Sequence, residues 1–170
     1  MKFLWNMPFA FFAIILSMGM TVMAQTQGTT GNQSSTDSKI GFDLLGGFPF
    51  EPPAYDPAKP NDPVEPRVDE QIPSAVRKCD NTMVTITGFM LPTRMENGRV
   101  LEFLLLRDQT MCCFGAQPQM NEWIVVRMDK PGTYVPDIPK TFSGRLRVGA
   151  VLENGYLSGI YLLENAKVSK

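Results

Sequence analysis

The chain has 170 residues, 19% of them charged, and a formal net charge of −1 at pH 7. A nucleic-acid binder needs a basic stripe that neutralises phosphates, and this near-neutral sequence has none, so we expect no nucleic-acid partner. The chain has no histidine, which rules out Ser-His-Asp and Cys-His mechanisms, and it has no glycine-rich phosphate loop. These absences favour a protein that is not an enzyme.

Residues 1–24 have the pattern of a secretory signal peptide. Lys2 supplies the positive start, residues 9–20 are almost entirely apolar, and Val22-Met23-Ala24 fits the small-residue cleavage rule. The alternative is a membrane anchor, but the apolar run is shorter than the roughly 20 residues that a span requires. We therefore predict a periplasmic or secreted protein with no stable membrane span after signal cleavage.

Two segments of different composition precede the main domain. Residues 25–39 are mostly Gln, Thr, Gly, Asn and Ser, which predicts a disordered tether. Residues 40–66 form a Pro/Gly-rich arm with several bulky apolar residues between Ile40 and Phe50. The glycines and prolines predict that the arm has neither a regular helix nor a central strand. It either packs along the following domain or docks on a partner as a short linear motif.

Residues 67–170 are long enough for one small domain. Residues 68–78 predict a short N-terminal helix, with Pro73 near its start and Ser74 as a possible cap. After this helix the apolar period changes to two, which is typical of strands. Gly88 lies inside the first of these strands, where the missing side chain permits a bend or a bulge.

The predicted strands are separated by tight turns at Glu96-Asn97-Gly98 and Asn154-Gly155. We predict a mainly β fold, a small OB-like β-barrel of five or six strands, because a long bent first strand suits a small barrel. A β-sandwich is the alternative. The predicted strands are residues 83–91, 100–106, 123–128, 142–148 and 156–163.

The adjacent Cys112 and Cys113 lie between two predicted strands and allow four interpretations. A disulfide from Cys79 to Cys112 or Cys113 suits an exported domain, provided that the Cα atoms come within range. Buried, inert thiols are the simplest alternative. A thiol-redox centre is less favoured, because reactive dithiols usually follow a C-x-x-C pattern at the start of a helix.

The fourth interpretation is a soft-metal site. Met111, Cys112, Cys113 and Met120 place thiols and thioethers close together in the sequence, which suits copper(I) better than zinc. A structural zinc site normally needs four nitrogen or sulfur ligands, and three cysteines without histidine fall short of that number.

Several sequence blocks, taken in order, resemble the bacterial domain-of-unknown-function 3299 family. They are Ile72-Pro73-Ser74, residues 84–92 (VTITGFMLP), residues 102–106 (EFLLL), Cys112-Cys113-Phe114-Gly115 and Asn121-Glu122-Trp123. The resemblance covers about residues 42–168. It implies an exported bacterial protein with an OB-like barrel, often encoded beside exporter-type ABC-transporter components, and it implies no established reaction.

One position departs from that family. Many relatives carry Cys-Ile-His where this chain has Cys113-Phe114-Gly115, so histidine-dependent chemistry does not carry over. Cys112 is an addition, and only Cys113 and Asn121 map directly onto the motif.

We therefore predict an exported accessory or binding domain without a cofactor, whose partner is an envelope protein or a transporter component. The loop of residues 108–122 is the expected binding surface, since loops on a rigid barrel carry most binding roles. The alternative is a copper- or zinc-binding or thiol-redox protein centred on Cys112 and Cys113. The candidate binding residues are Cys112, Cys113, Phe114, Gly115, Asn121 and Trp123.

Overall fold

The structure is a computed structural model that describes residues 37–54, 58, 63–109 and 118–169. The predicted signal peptide and the predicted tether before residue 37 lie outside these residues. So do five residues of the predicted site: Met111, Cys112, Cys113, Phe114 and Gly115. No helix among the described residues is long and apolar enough to cross a membrane.

The elements confirm a mainly β domain with few helices. The helices are α1 (Phe42–Leu45), α2 (Glu65–Asp69), α3 (Ser74–Arg77) and the short 3₁₀ helix η1 (Met120–Glu122). The strands are β1 (Ser38–Lys39), β2 (Thr82–Glu96), β3 (Arg99–Leu106), β4 (Trp123–Gly132), β5 (Lys140–Glu153) and β6 (Tyr156–Val168). Both predicted turns join hairpins, with positive φ angles at Asn97 and Gly98 and at Asn154 and Gly155.

Hydrogen bonding runs around the sheet in the order β2, β3, β4, β6, β5 and returns to β2. The long strand β2 makes this ring because it has two partners. Residues 82–88 pair with β5, and residues 89–96 pair with β3. The exchange of partners occurs at Gly88, the glycine that the sequence marks for a bend. A ring of this kind fits the predicted small barrel.

Replacing Gly88 with Ala is expected to lower the free energy of unfolding by about 1–3 kcal/mol, the usual range for overpacking. A Cβ atom at Gly88 would lie 2.5 Å from the Leu106 carbonyl oxygen and 2.9 Å from Leu105 Cγ. Gly132→Ala is the matched control, because its Cβ would meet only the flexible end of Met128. Urea denaturation compares the two variants, and equal losses would show that β2 does not need the close approach at Gly88.

A short N-terminal helix is present, but the predicted bounds, residues 68–78, are wrong. Two short helices, α2 and α3, lie in this region and are separated by residues 70–73, which include Ile72 and Pro73. Pro73 is extended at the N-cap position, and Ser74 is the first helical residue with no capping hydrogen bond from its side chain. A proline disfavours helical geometry in the residue before it, so one continuous helix through Ile72 is unfavourable.

The arm contributes to the main hydrophobic core. Phe42, Leu45 and Phe50 are buried in the same cluster as the barrel residues Phe103 and Phe142. We call residues 38–51 the strap. The prediction that this segment has no helix is wrong for one turn, α1, which lies between Gly41 and Gly46. Its glycines flank the turn and leave the helical residues themselves free of glycine.

The strap begins with β1, inside the segment predicted as a tether. Ser38 and Lys39 pair in parallel with Val84 and Thr85 of β2, and the Ile40 N–H donates to the Thr85 carbonyl at 3.0 Å. Composition gives no signal for this pairing, because the two residues use only their main-chain groups.

Candidate functional site

The structure describes both ends of the loop that the sequence predicts as the binding surface. Arg107 follows β3, and Glu122 ends η1. The Arg107 N–H donates to the Glu122 carbonyl at 3.3 Å, and the Arg107 guanidinium lies 3.5 Å from the Glu122 carboxylate. The two side chains are 51% and 29% exposed, so the ion pair adds at most about 1 kcal/mol. The contacts nevertheless hold the two ends of the loop side by side.

Two further contacts fix these ends. Gln119 and Glu122 form a capping box around η1, in which the Gln119 N–H donates to the Glu122 carboxylate at 3.0 Å. Gln109 donates from Nε2 to Asp137 Oδ1 at 2.9 Å, which ties the outgoing end to the β4–β5 connection. We call Arg107, Gln109, Gln119 and Glu122 the loop base. The loop base has no sequence signal, because the usual capping box begins with Ser, Thr, Asp or Asn, and here Gln119 takes that position.

Asn121, one of the predicted binding residues, is completely buried. Its Nδ2 donates to the Phe48 carbonyl of the strap at 2.6 Å. Because that carbonyl only accepts, the orientation of the amide is fixed. The opposite atom, Oδ1, is buried and has no hydrogen-bond partner within the part of the chain that the structure describes. Asn121 therefore ties the strap to η1, and its predicted role in binding stays a prediction.

Trp123 is half-buried and joins β4 to β6. Its Nε1 donates to the Ser158 carbonyl at 3.1 Å, and its ring lies against Gly159. These contacts stand next to the parallel pairing of Val125 with Leu162. The indole thereby helps to close the ring of strands, while a role in binding is still a prediction.

Of the predicted soft-metal ligands, the structure describes only Met120, which is half-buried against the main core. Met111, Cys112 and Cys113 lie outside the described residues. Within the described ranges, no group of three or more histidine, cysteine, aspartate or glutamate side chains is close enough to hold a metal ion. The described residues therefore do not assemble a metal centre of their own.

Cys79 follows α3 as a half-buried thiol, and its Sγ lies 3.9 Å from the Ala75 carbonyl. It is the one cysteine within the described ranges, and its two possible partners, Cys112 and Cys113, lie outside them. Tyr161 is fully buried and donates from its hydroxyl to the Leu45 carbonyl of the strap at 2.9 Å. Burial, and then the nearby Cys79, raise the pKa of Tyr161 well above its usual value. A disulfide from Cys79 to Cys112 or Cys113 stays a prediction.

The raised pKa of Tyr161 predicts a loss of stability at alkaline pH. Below pH 10 the hydroxyl is protonated in both states and its contribution is complete. Above pH 10 the unfolded tyrosine ionises while the folded one keeps its proton, so the free energy of unfolding falls by up to about 1.4 kcal/mol per pH unit. The test is urea denaturation of wild type and Tyr161→Phe between pH 8 and pH 11.

The Tyr161→Phe variant lacks this component and leaves the Leu45 carbonyl without its donor. We expect it to be about 1–2 kcal/mol less stable than wild type at pH 8, the usual cost of a lost buried hydrogen bond. The difference should shrink toward pH 11. A difference that is independent of pH would contradict the raised pKa.

The outer face of the sheet carries a polar groove that has no local signal in the sequence, because its residues come from the three strands β4, β5 and β6. Arg127 Nε lies 2.9 Å from Glu102 Oε2, and Arg127 Nη2 lies 3.3 Å from Glu153 Oε1. The hydrogen bond that Arg127 donates to Glu102 is the main cause that raises the pKa of Arg127. The groove beside this network, lined also by Arg147 and Glu164, has a volume of about 290 Å³. Its central guanidinium is neutralised by two carboxylates.

The comparisons with known proteins agree with this fold. The family model described as "Protein of unknown function (DUF3299)" matches residues 57–170, a start later than the residue 42 expected from the sequence blocks. The chain is similar to the crystal structure of a DUF3299 family protein from Pseudomonas aeruginosa PAO1, with 18% identity and a TM-score of 0.52. The similarity covers 79% of this chain and 97% of that one. No curated protein matches the sequence.

Proposed function

The chain belongs to the DUF3299 family of proteins of unknown function, and we propose that it is an exported, non-catalytic binding domain that engages a protein of the cell envelope through residues 108–122. A transporter component is the kind of partner that the family resemblance suggests. The observation that carries the proposal is the loop base, which fixes both ends of this segment to the barrel.

Fixed loop ends favour binding for an entropic reason. A partner binds more weakly when binding must also order a mobile loop, because the loop loses conformational entropy. A loop with anchored ends loses less of this entropy on binding than a loop on a free linker. The loop base anchors the outgoing end through Arg107 and Gln109 and the returning end through Gln119 and Glu122. Asn121 adds a buried anchor directly beside the returning end. This arrangement is the one expected of a binding loop on a rigid scaffold.

The two described groups with shifted pKa values have structural contacts. Shifted groups often mark catalytic acids and bases. Here the pKa of Tyr161 and the pKa of Arg127 are both raised, and both groups are protonated at neutral pH even at their ordinary pKa values. The Tyr161 hydroxyl donates to a main-chain carbonyl, and Arg127 is paired with two carboxylates. Each is engaged in a structural contact and is unsuited to act as a general base.

A loop replacement tests the proposal. Residues 110–117 are exchanged for Gly and Ser in equal number, while the loop base is kept. Because the loop base is kept, we expect little change in thermal stability and loss of the envelope protein that chemical crosslinking captures with the wild type. The control replaces Asn97 at the tip of the β2–β3 hairpin with Asp and keeps Gly98, because Asp-Gly also suits this turn. Capture that survives the loop replacement and fails in the control would contradict the proposal.

Mass measurement and thiol counting on protein taken from the periplasm distinguish our proposal from the copper, zinc or thiol-redox alternative. Under our proposal the native mass contains no metal, and the Cys112→Ser, Cys113→Ser variant has an unchanged metal content of zero. Stoichiometric copper or zinc in wild type, lost in this variant, would replace our proposal with a metal-binding function. Alkylation under denaturing conditions shows at the same time whether Cys79 is blocked together with one of the two.

A further inference from the structure

We propose that the surface beneath the strap is a peptide-recognition cleft, which this chain fills with its own residues 38–51. Its general occupant is an apolar peptide segment with bulky side chains at the spacing of Phe42, Leu45 and Phe50. The cleft lies on the barrel and on the α2–α3 segment. The proposal does not depend on the role proposed for residues 108–122.

The main chain of the strap is held by side chains of the domain. Side chains of the domain make four hydrogen bonds to it. Asn121 donates to the Phe48 carbonyl at 2.6 Å, and Tyr161 donates to the Leu45 carbonyl at 2.9 Å. Gln71 accepts from the Glu51 N–H at 2.9 Å and donates to the Glu51 carbonyl at 3.0 Å.

Such contacts are independent of the side chains of the bound segment. They recognise carbonyl and N–H groups that every peptide has, so they hold any segment that follows the same path. The parallel pairing of β1 with β2 adds strand-type contacts at the start of the strap. Main-chain bonds that supply affinity, together with pockets that supply specificity, are the usual features of peptide recognition through strand addition.

The buried side chains of the strap are spaced along it, with partly exposed residues between them. Phe42 is 6% exposed, Leu45 is 0% exposed and Phe50 is 5% exposed, whereas Leu44 and Phe48 are only partly buried. The domain therefore selects three apolar residues from an apolar segment and leaves their neighbours partly in solvent. This pattern of anchors defines the sequence class of an occupant.

The strap is attached to the rest of the domain by a separate connection. The family model matches residues 57–170, which include Asn121, Tyr161 and Gln71 but not the strap. The part that matches the family thus supplies these hydrogen-bonding side chains, and the segment that fills the cleft precedes it. A proline-rich connection of residues 52–63 is the covalent link between them. Because the strap is covalently attached through this connection, it competes directly with an outside peptide for the cleft.

Asn121 Oδ1 is buried and has no hydrogen-bond partner among the described residues. A buried acceptor without a donor is unfavourable and is rare in native structures. The strap uses only the Nδ2 side of this amide. A peptide that brings an N–H or O–H group to Oδ1 would gain a hydrogen bond that the strap does not make, which favours its binding over that of the strap.

The test uses the full chain with a specific protease site inserted in residues 59–62. After cleavage, a fluorescent synthetic peptide of residues 37–54 is added, and its anisotropy is measured. We expect saturable binding that unlabelled peptide competes away. The Leu45→Ala peptide should bind at least about tenfold more weakly, as expected for a lost buried leucine. The Leu44→Ala peptide is the matched control and should bind within about threefold of the original.

A second measurement applies if cleavage unfolds the domain. Hydrogen exchange in the uncleaved chain follows the Gly46 amide, which donates to the Phe42 carbonyl at 2.7 Å. Excess unlabelled peptide should accelerate exchange at Gly46 by competing with the strap, and the Leu45→Ala peptide should do so less. Absence of saturable binding in a folded, cleaved chain, or unchanged exchange in the intact chain, would overturn the proposal. Neither result involves the envelope partner, so the proposed function is tested separately.

Discussion

Replacing Leu45 with Ala is expected to lower the free energy of unfolding by about 2–5 kcal/mol, the range for leucine deletions in a closed core. Leu45 is 0% exposed and belongs to the main cluster, although it lies in an arm that precedes the barrel by more than thirty residues of sequence. Its loss removes buried apolar surface and loosens the turn whose carbonyl accepts from Tyr161.

The adjacent Leu44 provides the control. It has the same side chain, occupies the same helical turn and is only partly buried against the core. We expect Leu44→Ala to cost about 1 kcal/mol or less, because less of its surface leaves water on folding. Urea denaturation followed by circular dichroism measures both variants. Equal and small losses would show that the strap is not part of the cooperative unit.

Replacing Phe103 with Ala is expected to cost about 3–5 kcal/mol, the range for a buried phenylalanine. Phe103 is completely buried on the inner face of β3, and its ring lies 4.9 Å from the ring of Phe142 on β5. The two strands are not neighbours in the sheet, so this ring pair crosses the interior. Thermal and urea unfolding measure the loss.

The variant Phe103→Leu separates cavity formation from the loss of any apolar contact. Leucine keeps much of the volume, so we expect well under half of the loss seen with alanine. If Phe103→Ala were as stable as wild type, the interior would not be packed between β3 and β5 as the structure describes. The variants Phe103→Ala and Leu45→Ala share one cluster, so their effects in a double variant need not add.

The sequence predicts the sheet well because its signals are local. Alternation of apolar and polar residues along β2 and the Asn-Gly turns are properties of neighbouring residues, and Gly88 stands out inside a regular strand. The signal for the break between α2 and α3 is also local, because Pro73 restricts the backbone of Ile72. The apolar pattern of the segment obscured this signal.

The contacts of the candidate site were not predictable in the same way. The bond from Asn121 to Phe48 joins residues 73 positions apart, and the bond from Trp123 to Ser158 joins residues 35 positions apart. Both acceptors are main-chain carbonyls, which leave no trace in the sequence. The sequence also did not determine whether the strap is buried, because an apolar segment with glycines suits both an arm that packs on its own domain and a motif that docks on a partner. The loop base was also not predictable, because Gln119 is not one of the residues that usually begin a capping box.

The most direct test of the binding function is site-specific photocrosslinking in living cells. A photoreactive phenylalanine is placed at Asp108, an exposed residue at the outgoing end of the loop, and in a matched variant at Lys130, an exposed residue of β4. Our account predicts a discrete crosslinked envelope protein from position 108 that disappears when residues 110–117 are replaced by Gly and Ser. Crosslinking of the same protein from position 130 but not from position 108 would contradict it.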